Sequence, residues 1–152
     1  MPAARIFIDS TTFLYTFDRS ERDKGAVALD WLTTLRTADS GITNLQVLNE
    51  VARLATRKSD RFGDDAFSRV DTFAIFGSEP MDSQTAHAGR SIFRTYRYSW
   101  WDCLLLASAL ELDCTHFLSE DLQDGQRIVA GDGRGLTIVD PFAHSPAEFL
   151  SS

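Results

Sequence analysis

The chain has 152 residues, 43% of them hydrophobic and 24% charged, a balance that supports one globular core and excludes disordered, collagen-like and fibrous classes. Its 15 basic and 22 acidic residues leave a formal charge of −7, which argues against holding nucleic acid by a general basic surface. No apolar run reaches the roughly 18 to 20 residues that span a bilayer, MPAARIFIDS is neither signal peptide nor anchor, and Cys103 and Cys114 fit no zinc spacing. A single domain over residues 1–152, cytoplasmic, off the membrane and with two free thiols, is the expectation.

In chain order, Arg5 to Ile8 is a short apolar run ending at Asp9, suited to a central strand buried on both faces. Ala26, Leu29, Leu32 and Leu35 recur at helical spacing before Asp39, Ser40 and Gly41 break the chain ahead of Ile42. Thr43 and Gln46 form a capping box, continued by Val47, Val51, Leu54 and Ala55 as a helix to about Arg57. A helix is predicted over Asp64 to Phe73, a short strand between Ala74 and Met81, helices over Ser83 to Thr95 and Trp101 to Leu112, and strands at Thr115 to Leu118 and Leu136 to Val139. The glycine-rich Gly131 to Gly135 is read as a mobile connection. Short apolar strands alternating with helices imply an α/β fold, a three-layer α/β/α sandwich with a mostly parallel sheet of about five strands.

Ligands of such a sheet bind beyond the carboxyl ends of its strands. Asp9 follows the first strand and Asp121 follows Thr115 to Leu118, while Asp102 starts a helix that must begin at that same edge. Glu50 shares its helix face with Val47, Val51 and Leu54, which places an acid on an apolar stripe. Each acid has a structural alternative: a helix-start acid for Asp102, a loop residue for Asp121, a salt bridge from Glu50 to Arg53 or Arg57. Their convergence on one edge argues for a site. Clustered buried carboxylates need a cation, and an oxygen-only donor set suits Mg2+ or Mn2+ rather than zinc.

IFIDSTTFLYTFD, ITNLQVLNEV and SWWDCLLLASALELDCTHFLSEDLQDGQ together resemble the PIN-domain family, and within it the VapC-type toxin ribonucleases. The resemblance implies that Asp9, Glu50, Asp102 and Asp121 are the catalytic, metal-binding carboxylates, with Glu120 and Asp124 as outer helpers. Where the family has Asn two residues after the first Asp, this chain has Thr11. By resemblance the protein is an Mg2+- or Mn2+-dependent ribonuclease, cutting RNA to leave a 5′ phosphate and a 3′ hydroxyl, a homodimer restrained in the cell by a VapB-like antitoxin. Arg53, Arg57, Arg94 and Arg97 would rim the groove and hold neighbouring phosphates.

Rival enzymes fail on residues. A haloacid-dehalogenase-type phosphatase needs an Asp at position 11, and a receiver domain needs a late Lys, absent after Lys58. His87, His116 and His144 lie on unrelated elements, against two-histidine cleavage of RNA. The remaining alternative is a PIN-fold module that docks RNA or a partner without cutting. The adjacent Trp100 and Trp101 point about 100° apart on a helix, so they cannot both face the core: one is structural, and for the other a partly buried packing role is preferred to a dimer contact or stacking on a base.

Overall fold

A computed structural model describes residues 3–150. Strands β1 (Ile6–Ile8), β2 (Gly41–Ile42), β3 (His116–Leu118), β4 (Arg127–Val129) and β5 (Gly135–Val139) form one sheet in the order β2-β1-β3-β5-β4. All pairings are parallel except β4 with β5. The helices that flank it are α1 (Ser10–Tyr15), α2 (Arg22–Thr37), α3 (Leu45–Arg57), α4 (Ser59–Phe62), α5 (Ala66–Phe73), α6 (Ser83–Tyr96) and α7 (Trp100–Glu111). This is the three-layer, mostly parallel architecture that the alternation of strands and helices implied.

The centre of the sheet follows from composition. Ile6, Phe7 and Ile8 are wholly buried, as a strand covered on both faces requires. Phe7 pairs in register with Phe117 of β3, and their rings stack with centroids 5.2 Å apart. Helix α3 buries Val47, Leu48, Val51 and Ala55, the periodic positions of its sequence. The C-terminal segment beyond β5 crosses α2, where the buried Trp31 indole donates to the Pro141 carbonyl at 2.8 Å.

Several local expectations change. Helix α3 is capped by Asn44, not Thr43: the Asn44 side chain accepts from the Val47 amide at 2.9 Å and donates to Ser108 Oγ at 2.8 Å. Thr43 instead donates to the Ile8 carbonyl at 2.9 Å and ties β2 to β1. An amide has a donor to spare for α7 after capping, so it suits the buried cap position. Between Ala74 and Met81 there is no strand but a 3₁₀ turn (Ala74–Phe76) and a single bridge from Asn44 to Glu79. Gly131 to Gly135 spans a hydrogen-bonded hairpin turn, with Ala130 N donating to Arg134 O at 2.7 Å and Gly133 at φ +89°. Its first arm, β4, leaves no apolar run in the sequence, because only Ile128 of its three residues is buried. Helix α1 was likewise too short for a period to show.

Candidate active site

Strand β1 lies between β2 and β3, so the chain leaves β1 toward one neighbour and reaches the other only after α3 to α7. A crevice opens at such a switch point beyond the carboxyl ends of the strands. Asp9 follows β1 there, and Ser119, Glu120 and Asp121 follow β3.

Asp9 caps α1. Its Oδ1 accepts from the Thr12 hydroxyl at 2.8 Å and the Thr12 amide at 3.2 Å, which locks the carboxylate toward the start of the helix. It is buried, and burial pushes its carboxyl up to about 7, helped by the negative charges of Asp121 and Glu120 and opposed by the two Thr12 hydrogen bonds. Asp121 sits on a turn whose amides, its own and that of Leu122, donate to Ser119 Oγ at 3.2 Å. Burial first, then Glu120 and Asp102, raise the Asp121 carboxyl. Asp102 lies in the first turn of α7, where Ser99 caps the helix and donates to Asp102 Oδ2 at 2.8 Å. Thus Asp9, Asp102, Glu120 and Asp121, from three separate stretches of chain, share one electrostatic neighbourhood.

Glu50 is not among the charges that act on Asp9 or Asp121. Arg53 grips both its oxygens, at 2.9 and 3.1 Å, the salt bridge that its helix spacing offered. Among the described residues no three His, Cys, Asp or Glu side chains are gathered closely enough to hold a metal ion. The donor set is nevertheless of the right kind for a hard divalent cation: all carboxylate, with a buried Asp9 whose raised pKa marks the want of a counter-charge.

Several contributors escaped the sequence reading. Lys24 of α2 reaches Glu120 at 2.9 Å, its ammonium 5.2 Å from the Tyr15 ring centroid and 5.1 Å from that of Phe142, and the Tyr15 hydroxyl donates to the other Glu120 oxygen. No local pattern announces a contact between residues 24 and 120. Thr12 and Ser99 were legible in principle, as Asp-x-x-Thr and Ser-x-x-Asp cap motifs. Thr11 does not bond Asp9; it lines a cavity of about 330 Å3 with Arg57, Lys58 and Arg61. Asp124 accepts from the Asp140 amide and from His144, each within 2.9 Å, and so anchors the C-terminal segment. Arg94 and Arg97 are exposed at the end of α6, where Arg97 caps the helix at φ +65°. Both cysteines are free and buried, and among the described residues no helix is long and apolar enough to cross a membrane.

No curated protein matches the chain in sequence. Its fold is similar to that of VapC20 from Mycobacterium tuberculosis, a sarcin-ricin loop cleaving toxin, with TM-score 0.55 and 15% identity over 74% of this chain and 86% of that one. It is also similar to VapBC2 from Rickettsia felis, solved with a DNA fragment from its promoter, with TM-score 0.54 and 11% identity over 75% of this chain and 85% of that one. In sequence, the PIN domain model matches residues 6–130, from the first residue of β1 to just past β4, so that both acidic strand ends of the switch point fall inside it; the chain belongs to the PIN domain family.

Proposed function

We propose that the protein is a metal-dependent endoribonuclease, the cytoplasmic toxin of a type II toxin–antitoxin pair, with Mg2+ or Mn2+ held by Asp9, Glu50, Asp102 and Asp121. The observation that carries this reading is the meeting of acids from three stretches of a PIN chain at its topological switch point, around a carboxyl pushed up to about 7. When bound, such an ion supplies Lewis-acid polarisation of the phosphate and activation of water. The chain's own part is positioning. Thr12 fixes the Asp9 carboxylate, Ser99 fixes that of Asp102, and Lys24 balances the charge of Glu120. Arg53 competes with any cation for Glu50, and Arg57 and Lys58 border a cavity able to take neighbouring phosphates.

The test is purified protein with structured RNA, with and without EDTA, followed by end-group analysis. Cleavage that needs the metal, leaves 5′ phosphates and vanishes in Asp9→Asn and Asp102→Asn is expected. Cyclic 2′,3′-phosphate ends, or cleavage that survives chelation, would refute the reading. The likeness to VapBC2 further supports a VapB-like antitoxin as partner, and the proposal includes a homodimer; expression of the chain alone should then stop growth. A second reading, a PIN-fold module that docks RNA or a partner without cutting, is favoured by the bidentate Arg53–Glu50 pair, which leaves one of the four acids engaged. RNA binding with no metal-dependent product would select it.

A further inference from the structure

Gln46, Asn49, Glu50 and Arg53 follow one another at steps of three, one and three along α3, so they form one face of that helix. Across from them, Trp101 in the first turn of α7 completes an open groove of about 380 Å3. The neighbouring Trp100 behaves differently: its ring packs over Gly89, where a Cβ would lie 3.5 Å away, and meets Phe93 edge to face at 6.5 Å. Trp100 therefore joins α6 to α7, whereas Trp101, exposed to the same extent (41% against 42%), lines the groove. Among the described residues no hydrogen bond engages the Trp101 indole or the carboxamides of Gln46 and Asn49, whereas the Trp31 indole is satisfied by Pro141.

We infer that this groove is a nucleobase subsite, in which an unstacked base of single-stranded RNA lies on Trp101 and is met at its edge by the carboxamides of Gln46 and Asn49. The inference rests on the ribonuclease reading for its substrate and adds the place where a base is held. The chemistry matches part by part. An indole face takes any base by stacking, a carboxamide offers donor and acceptor together, and the Arg53–Glu50 pair leaves no net charge in the groove to repel a nucleotide. The position matches as well. Trp101 directly precedes Asp102 in the first turn of α7, so a base seated here belongs to a nucleotide close to that acid.

The experiment compares two labelled probes of equal length by fluorescence anisotropy, a decamer of adenosine and a decamer of abasic ribose phosphates, each with Mg2+ and with EDTA. Wild type should prefer the base-bearing probe by about 5- to 100-fold. Trp101→Ala should abolish that preference while binding the abasic probe as before, and Trp101→Phe should keep most of it. Thermal melts confirm that the variants fold, and the abasic probe reports any general damage to the surface. A preference that survives Trp101→Ala overturns the subsite and leaves the indole to a protein partner. Failure of wild type to bind either probe overturns the subsite together with the ribonuclease reading. Binding that depends on Trp101 without any cleavage overturns only the ribonuclease reading.

Discussion

Asp9 carries an unusual burden for a single residue. Its carboxyl is pushed up to about 7 by burial, against an unfolded value near 4. Below both values it is protonated in either state; between them the unfolded chain gives up its proton and the folded one does not. Its contribution to stability is therefore complete in acid and is lost as pH rises through about 7, a cost of up to about 4 kcal/mol. In EDTA, the unfolding free energy of Asp9→Asn relative to wild type should climb between about pH 4 and 7.5, as read by urea titrations across that range; a flat difference would mean that the carboxylate is compensated. Asp18 shows the opposite balance. Burial raises its carboxyl, but hydrogen bonds from Arg61 and Ser20 outweigh that and hold it below the ordinary value. Arg61 meets Asp18 at 2.6 Å, with the carboxylate almost wholly buried. Arg61→Met strands that charge and should destabilise the fold by about 2 to 4 kcal/mol by denaturant titration.

The elements around the acids are held by close approach. Helix α1, which Asp9 caps, lies on α2 at Gly25, where a Cβ would come within 2.7 Å of the Tyr15 carbonyl oxygen. Only glycine lets the two backbones come so near. Gly25→Ala gains about 1 kcal/mol of helix propensity but forces α1 away, for a net loss of about 1 to 2 kcal/mol. Because α1 carries both Thr12 and Tyr15, the same substitution should lower activity more than a stability loss of that size explains, which is checked by assaying well below its melting temperature. Helix α7 is oriented by one cap and one side-chain contact. Ser99 sets its first turn, and the Asn44 amide reaches Ser108 in its interior. Asp102 thereby sits on a helix tied at its start by Ser99 and along its length to the cap of α3.

At the scale of the molecule, after burial, the charges of Asp121 and Glu120 push the Asp9 carboxyl up and those of Glu120 and Asp102 push up that of Asp121, so removing one acid should relieve repulsion. Asp9→Asn and Asp121→Asn should melt about 2 to 4 °C above wild type in EDTA for each kcal/mol relieved. Asp102→Asn should gain less, since its carboxylate also accepts from Ser99 and favours the start of α7. Mg2+ should stabilise wild type by mass action and these variants much less. If the Asn variants all melt lower in EDTA and Mg2+ shifts none, the acids are structural partners only. The sheet also depends on residues outside the matched family region: β5 lies between β3 and β4, and the segment after it anchors on Trp31 and Asp124.

Sequence by itself determined what depends on local periodicity and on order along the chain. The apolar run before Asp9, the stripe of α3 and the strand before Ser119 were legible because burial on one or both faces leaves a regular trace. From their alternation the parallel sheet follows, and from that the edge where Asp9, Asp102 and Asp121 collect, since crossovers return every strand in one direction. Tertiary structure decided whatever rests on contacts between distant residues. The lysine that answers Glu120 comes from α2, the cap of α3 was chosen by Ser108 of α7, and Glu50, at the border of the buried face rather than within it, turned to Arg53. Strand β4 was decided there too, because an edge strand that buries one side chain is recognisable only by the neighbour with which it pairs.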